Sequence, residues 1–479
     1  MAGHDKTLKE ENGTGTQVRP KIQAGVDFIN GNIPKEMLKF ALPILASVLF
    51  QNFYHTIDTV IVGHVLGETQ LAAIGAAGPF YNLLIGMALG MGSGMSIVVG
   101  RSYGKGDSAL IKRSVATAIK IAACMALLVT VTAQLIYRPV LRLLRTPVEA
   151  YGGASDYISI ITLFAAVTIA FNLCSGLLSA IGNSLMPMVF LIAANGLNIV
   201  LDIVFVAGFG MGIRGAAFAT IISQLIAAVI SLIYISSKCR ILIPEKDSFE
   251  RDGALYKEML QQGLASSMMN SLVALGTLTL QGGINSLGYL YIAGHTTARK
   301  VYEYTIMFNM TVSQTLIAFC SQNKGAGNWN RIRKGRRYGI FFNFVMVVIL
   351  TCIMAFAAPA LIRLVSGSND PVVVENGAKY LRFTTPCVMI LATMNCTRMP
   401  LLAIGNKLVP VVAGLVEFVW KVIFVIFMIP RFGYNAVIVA EPVIWVCMLL
   451  WLLLSYYRID ELKPQKEDAI LPEIFGSRS

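Results

Sequence analysis

Apolar segments long enough to cross a lipid bilayer recur along almost the whole chain. Each contains about 20 or more residues, the length that a hydrocarbon core of roughly 30 Å requires of a helix. Hydrophobic residues make up 56% of the sequence and charged residues only 14%, a composition outside the range of soluble proteins. Lipid offers the backbone no hydrogen-bond partner, and the segments lack the alternation of barrel strands. The sequence therefore predicts an all-α, polytopic membrane protein.

Division of the apolar runs at Gly, Pro and charge clusters gives twelve predicted transmembrane helices. The spans cover residues 37–64, 70–100, 114–140, 152–181, 185–209, 213–237, 258–285, 289–319, 337–365, 374–403, 408–430 and 434–457. Residues 1–36 are polar and contain no stretch of signal-peptide type, so we expect the first span to be retained as an anchor. The eight Cys lack CxxC spacing, which argues against a disulfide framework and a zinc site.

The position of the basic residues predicts the orientation in the membrane. With the N-terminus inside, the basic loops 101–113, 238–257 and 324–337 all lie on the inner side, and the outer loops carry about half as many Lys and Arg. This positive-inside bias places both termini in the cytoplasm of a multi-pass protein of the inner (plasma) membrane. The same distribution explains the formal net charge of +13 without a nucleic-acid partner.

The second half of the sequence repeats the first. A shift of 221 residues superposes the Gly-containing basic loop 101–113 on 322–334, and a shift of 223 superposes AIGN at 180–183 on AIGN at 403–406. Each half contains six spans, an even number, so both enter the membrane in the same direction and form a parallel repeat with a central cavity between two six-helix bundles. The predicted division is an N-terminal segment, an N-lobe, a cytoplasmic linker, a C-lobe and a C-terminal tail: 1–36, 37–237, 238–257, 258–457 and 458–479.

Polar residues inside three spans of the N-lobe predict an ion site. Tyr54 and Asp58 lie four residues apart in span 1, as do Asn198 and Asp202 in span 5, so each pair shares a helical face. Asp58, Asp202 and Thr220 of span 6 all lie roughly 10 Å below the predicted outer surface by helical rise. Asp58, Asn198, Asp202 and Thr220 together offer hard oxygen ligands suited to Na⁺, and a carboxyl in such a site could instead carry a proton. The alternative for Asn198 and Thr220 is that they only bond backbone or neighbouring helices.

This predicted ion chemistry belongs to the N-lobe alone. The repeat places Thr279 at the position of Asp58, and Val425 at that of Asp202. A buried carboxylate in a membrane span is costly and by default marks an ion or substrate path. We therefore expect coupling through the two aspartates, with H⁺ or Na⁺ as the coupling ion and no other cofactor.

Charged residues also occur in the spans of the C-lobe. Glu417 and Lys421 are four residues apart in span 11, and a structural pair is favoured over a substrate contact. In span 8, His295, Arg299 and Glu303 are spaced to share one face, directed at the cavity or the lobe interior. All five are candidates to line the cavity, and their roles stay open.

Two glycine-containing motifs have structural explanations. GMGSG at 90–94 lies inside a span and lacks the Lys and Ser/Thr of a phosphate loop, so close helix packing explains it better. Residues 104–107 and their copy are typical of a tight turn after a helix. The four His are scattered and define no Ser/His/Asp arrangement, so an enzyme is not expected.

Several motifs resemble those of the multidrug and toxin extrusion (MATE) transporters of the bacterial type. They are Pro43 followed after fourteen residues by Asp58, VGHVLG at 62–67, LAAIGAAGP at 71–79, GRSYGKGD at 100–107, AIGNSLMP at 180–187, NGLNIVLD at 195–202 and QNKGAGNWNRIRKG at 322–335. The resemblance covers about residues 35–457 and implies two lobes arranged as a V. It also implies export of amphipathic, often cationic compounds, driven by inward movement of Na⁺ or H⁺.

The resemblance extends to site residues. In DinF-like members of that family, the positions matching Tyr54, Asp58, Asn198, Asp202 and Thr220 form an N-lobe cation or proton site. The resemblance also implies bending of the first span near Pro43. Other members carry acids in spans 7 and 10, whereas the interiors of those spans here contain no Asp or Glu, which favours coupling through the N-lobe.

The leading hypothesis is a cation-coupled antiporter that exports small organic cations across the bilayer, and we expect it to be a monomer. A second hypothesis keeps the fold but exports or flips a lipid-linked or anionic intermediate. For that cargo the basic candidates in the cavity are Arg299, Lys300 and Lys421. A third, an integral-membrane enzyme or receptor, lacks a metal or nucleophile constellation.

Overall fold

Helices make up nearly all of the chain. The computed structural model describes residues 25–465 except for 144, 145, 251 and 369. The helices are α1 Ile33–Leu66, α2 Glu68–Lys105, α3 Ser108–Leu143, α4 Val148–Leu163, α5 Ala165–Ala180, α6 Leu185–Asp202, α7 Gly212–Lys238, α8 Gly253–Asn285, α9 Tyr289–Gly325, α10 Trp329–Ser366, α11 Pro371–Ala403, α12 Leu408–Ile423, α13 Ile429–Phe432 and α14 Tyr434–Tyr457. The described residues contain no β-strand, which confirms the predicted all-α class.

The predicted spans correspond to these helices. Within the described residues, nine helical segments are long and apolar enough to cross a bilayer, and the bent pair α4 and α5 adds a tenth. The two remaining predicted spans fall on α1 and α9, which are 34 and 37 residues long. Residues 1–24 and 466–479, which include most of the predicted terminal segments, lie outside the described residues.

The predicted span over 152–181 is present, but it is broken into two helices. Helices α4 and α5 meet at Phe164 and are bent by 52° relative to each other. One turn before the bend, Gln134 Nε2 of α3 donates a hydrogen bond to Ser159 O at 2.7 Å. A side chain that inserts into the backbone ladder of a helix is a known cause of a kink.

The two lobes meet where α2 of the N-lobe packs on α8 and α9 of the C-lobe. A Cβ atom added to Gly94 would lie 2.5 Å from Gly263 Cα, and one added to Gly90 would lie 2.5 Å from Ser267 Cα. Ser267 Oγ also donates a hydrogen bond to Met87 O at 2.8 Å. The GMGSG motif therefore allows two backbones to approach closely, which confirms its predicted packing role.

Residues 239–250, between α7 and α8, pack on the N-lobe, and we call the end of the molecule that carries them the linker end. Lys112 forms an ion pair with Glu245, and Lys120 Nζ donates to Phe249 O at 2.5 Å. At the same end an ion pair of 2.6 Å joins Arg101 of the N-lobe to Glu258 of the C-lobe. The lobes are thus held together at the linker end.

Residues 25–32, which we call the crossing segment, connect both lobes at the linker end. The Val26 N–H donates to Gly182 O in the N-lobe at 2.9 Å. Phe28 is fully buried, and its carbonyl accepts from Asn323 Nδ2 of α9 and from Arg331 Nη2 of α10, each at 3.0 Å. Because these bonds reach both lobes, the crossing segment stabilises the arrangement in which the linker end is closed.

Candidate functional site

The predicted N-lobe site residues lie on α1, α6 and α7. Asp202 and Asn198 are buried, at 0% and 2% exposure, while Tyr54 and Asp58 of α1 are half-buried. Helix α6 packs against α1, and Asp58 lies close enough to Asp202 to interact with it directly. Tyr54 lies within electrostatic range of both acids. The structure therefore brings both predicted aspartates and the predicted tyrosine together.

The buried groups on α6 have unused hydrogen-bonding capacity. Within the described part of the chain, no hydrogen-bond partner is found for either carboxylate oxygen of Asp202 or for the amide oxygen and nitrogen of Asn198. Buried polar atoms are nearly always hydrogen-bonded, and exceptions occur at functional sites or where water or an ion binds. Carboxylate and amide oxygens are hard ligands, so these residues fit a proton or an alkali cation.

Thr220 is placed differently from the other predicted members. Its side chain is half-buried, and its hydroxyl donates to Ala216 O of the same helix at 3.0 Å. This bond to the carbonyl four residues earlier is the common alternative for a threonine inside a helix. The oxygen lone pairs stay available, so the role of Thr220 as a cation ligand stays a prediction.

Two tyrosines that were not predicted from the sequence also lie near this site. Tyr81 of α2 lies within electrostatic range of Asp58, and Tyr157 of α4 lies within range of both Asp58 and Asp202. Their hydroxyls can donate hydrogen bonds to a carboxylate or contribute an oxygen to a bound cation. The chain has 17 tyrosines, and nothing in the local sequence distinguishes these two, because they meet the acids only through helix packing.

Helix α6 continues into a π-helical segment, Ile203–Gly208, directly after Asp202. Such segments occur often at functional sites. However, α12 of the C-lobe continues in the same way, through Phe424–Met428, where the sequence contains no acid. The π-helical segment is therefore a feature of the repeat, and the aspartate distinguishes the two lobes.

Pro43 lies inside α1, which is a continuous helix from Ile33 to Leu66. Proline has no N–H, so the carbonyl of Lys39 lacks its usual intrahelical donor. The Ser47 hydroxyl donates to Pro43 O at 2.9 Å. Whether α1 bends at this position during transport stays a prediction.

The C-lobe contains a separate buried polar network around Arg299. Its guanidinium forms an ion pair with Glu441 of α14 at 3.0 Å and donates to the Tyr380 hydroxyl at 3.4 Å. The Nδ1 atom of the buried His295 lies 3.2 Å from the Tyr434 hydroxyl. Glu441 was not among the predicted site residues, although it is an acid inside an apolar span, as Asp58 is.

The other charged candidates of the C-lobe differ in their surroundings. Glu417 and Lys421 form a buried ion pair at 2.8 Å, and Lys421 Nζ also donates to Thr277 Oγ1 at 3.3 Å. Glu303 is exposed, whereas His295 is buried. Eight residues along a helix make two full turns and about 80° more. Glu303, eight residues after His295, therefore points in a different direction from His295.

No group of three or more His, Cys, Asp or Glu suited to a metal ion occurs among the residues whose positions are described. The N-lobe site has two carboxylates, an amide and tyrosine hydroxyls. This donor set suits a monovalent cation or a proton.

Two repeated helical bundles in one membrane protein are an architecture typical of membrane transporters. The family model described as MatE matches residues 43–204 and again 265–427, and the chain belongs to this family. The two matches agree with the internal repeat. As a member of this family, the protein is a membrane transporter of small molecules and not an enzyme.

Relatives and solved structures extend this assignment. The probable multidrug resistance protein YoeA of Bacillus subtilis is 24% identical over 442 residues, which cover 90% of this chain and 95% of the relative. An FAD transporter of Shewanella oneidensis is 24% identical over 363 residues, 75% of this chain and 79% of the relative. A crystal structure of MATE in complex with MaL6 superposes with a TM-score of 0.83 at 21% identity, covering 91% of this chain and 99% of that one. This last similarity supports the fold.

Proposed function

We propose that the protein is a cation-coupled antiporter that exports small organic compounds, with Asp58 and Asp202 as the coupling site. The observation that carries the proposal is the fully buried Asp202 carboxylate, whose oxygens find no donor group in the described chain, so that a hydrogen bond to the neighbouring Asp58 requires a proton shared between the two acids. Two carboxylates in a poorly solvated pocket repel each other when both are charged. A proton or Na⁺ relieves that repulsion, so ion binding changes the free energy of this part of the N-lobe.

The coupling follows from linkage between two sites. If the ion binds one conformation of the N-lobe more tightly, it shifts the population towards that conformation, and a compound that prefers the other conformation is released. The effect is reciprocal, so the exported compound must weaken ion binding by the same factor. Helix α1 carries both Asp58 and Pro43, and a helix with a missing backbone bond is suited to change shape when its acid is neutralised.

The positive-inside bias supports an orientation with the linker end in the cytoplasm. In this orientation the structure is closed towards the cytoplasm, because Gly90, Gly94 and the crossing segment hold the lobes together there. An exporter releases its cargo and takes up the coupling ion from this outward-facing state. We propose that the protein works in this way as a monomer in the plasma membrane.

The cargo we favour is an amphipathic organic cation, in keeping with relatives described as multidrug resistance proteins. One observation favours an anionic cargo as the second candidate. Arg398 in the C-lobe is 8% exposed, and its Nε and Nη1 atoms have no hydrogen-bond partner within the described residues. A relative described as an FAD transporter supports the same candidate. A flippase for a lipid-linked anion belongs to this second class.

Efflux from proteoliposomes tests the proposal. Vesicles loaded with ethidium would be given a Na⁺ gradient or a pH gradient separately, with wild type, Asp58→Asn, and Asp156→Asn as the matched control. Asp156 is an acid of the same lobe that pairs with Arg214 in solvent, so its substitution removes a carboxylate without touching the site. We expect either the Na⁺ gradient or the pH gradient to drive ethidium efflux by wild type and by Asp156→Asn, and neither gradient to drive efflux by Asp58→Asn. Gradient-driven efflux by Asp58→Asn equal to that of wild type would refute the coupling role. In parallel vesicles loaded with a flavin, export of the flavin without export of ethidium would favour the anionic cargo.

A further inference from the structure

A basic groove lies in the C-lobe, at the end of the molecule opposite the linker end. It runs between the last turns of α10 and the first four turns of α11 and has a volume of about 720 Å³. Three cationic side chains, Arg363, Lys379 and Arg382, line it, against the single acid Glu375. In the described chain none of the three cations forms an ion pair, and Lys379 Nζ donates only to Asn435 Oδ1, at 2.8 Å. The groove therefore has an excess of positive charge that the protein does not neutralise.

The surroundings of the groove are apolar and face lipid. Pro359, Val374 and Phe383 form part of its wall. On α10, Phe356 is 87% exposed and Leu364 is 80% exposed. In a membrane protein, exposed apolar side chains at this density mark the surface in contact with acyl chains. The groove thus opens from a charged region directly onto the hydrocarbon-facing surface of α10.

Arg382 is held in the groove by a defect in α10. Pro359 has no N–H, so the carbonyl of Ala355, four residues earlier, lacks its helical donor. Arg382 Nε donates to that carbonyl at 3.1 Å, which leaves the Nη atoms of the guanidinium for another partner. Arg382 lies about 16 Å along α11 from Pro371 by helical rise. A guanidinium fixed beside lipid-facing apolar side chains is costly unless an anion reaches it.

We propose that this groove binds the phosphate of an anionic phospholipid in the leaflet opposite the linker end. A phosphate accepts two parallel hydrogen bonds from an arginine, and the nearby lysine and second arginine add charge. The acyl chains would then lie on the apolar surface of α10 around Phe356. A free phosphate ion would satisfy the cations but would make no use of the apolar wall, which is why we assign the groove to a lipid.

Lipid retention by the purified protein tests this proposal. Native mass spectrometry would count bound lipids after incubation with phosphatidylglycerol or phosphatidylcholine of the same acyl chains. The variants are Arg382→Gln and the double variant Arg363→Gln with Lys379→Gln, which leaves the bond to Ala355 intact. Arg431→Gln is the matched control, because Arg431 is an exposed cation outside the groove.

We expect wild type and control to retain phosphatidylglycerol in preference to phosphatidylcholine. Each cation removed from the groove should weaken retention of phosphatidylglycerol about fivefold. Equal retention of the two lipids, or unchanged retention in the double variant, would overturn the proposal. Displacement of the lipid by millimolar inorganic phosphate would show that the groove is a site for free anions and would also overturn it.

Discussion

Substitution of Gly94 by alanine should shift the protein away from the conformation closed at the linker end. The new Cβ would lie 2.5 Å from Gly263 Cα and 2.6 Å from Gln262 O, whereas ordinary contacts begin at about 3.4 Å. Both neighbours are backbone atoms, so no flexible side chain can yield, and the lobes must separate by roughly 1 Å. Overpacking of this kind costs about 1–3 kcal/mol. Because the contact exists only when the linker end is closed, the ratio of closed to open molecules should fall about 5- to 150-fold.

Distance measurements between spin labels can detect this shift. Labels at Ser108 and Lys257, exposed positions on α3 and α8, would report the separation of the lobes in a cysteine-substituted background. Gly86→Ala is the matched control, because it lies on the same helix and its added Cβ would meet nothing within 4 Å. We expect longer distances in Gly94→Ala than in wild type or control. Unchanged distances, or the same shift in Gly86→Ala, would refute the packing argument.

Three further predictions concern stability, measured by thermal unfolding in detergent. Arg299→Ala should lower the free energy of unfolding by about 3–5 kcal/mol, because it leaves Glu441 buried without its partner. Adding Glu441→Gln to that variant should recover most of the lost stability, and no recovery would contradict the pairing. Phe28→Ala should lower the free energy of unfolding by about 3–5 kcal/mol, and Phe28→Leu should lower it much less. Equal effects of the two substitutions would contradict tight packing of the crossing segment. Lys421→Ala should be clearly destabilising, while the exposed Lys300→Ala should change stability by less than about 0.5 kcal/mol; similar effects would show that burial of Lys421 does not matter.

The architecture could be predicted from the sequence because lipid imposes strict limits on it. A span must be apolar, helical and about 20 residues long, so composition and the positions of Gly and Pro define most helices. The repeat could be found because its turns need glycine, as at Gly106 and Gly327, which have φ of 74° and 75°. Only glycine adopts such angles readily. The bend at Phe164 was not predicted because its local sequence contains no Gly or Pro, and the Gln134 side chain that bonds the backbone beside it lies on another helix.

The two aspartates of the candidate site could be predicted from the sequence, because charged side chains are rare in apolar spans. Asp58 and Asp202 are conspicuous in apolar spans, and a spacing of four residues relates each to a neighbour on the same helix. Tyr81 and Tyr157 join the site through contacts between helices, which a single sequence does not specify. The structure places Glu303 on a more exposed face than His295, because the rotation over eight residues of a helix accumulates, and its predicted role at the cavity stays a prediction.

The most direct test of coupling through the acid pair is the affinity of the purified protein for a fluorescent organic cation, measured across pH and Na⁺ concentration. Wild type and the control Asp156→Asn should bind the compound more weakly as the coupling ion increases, because the two ligands favour different conformations. Asp202→Asn should give an affinity that does not depend on the ion. If the Kd of Asp202→Asn changed with the ion as steeply as that of wild type, the acid pair would not be the coupling site.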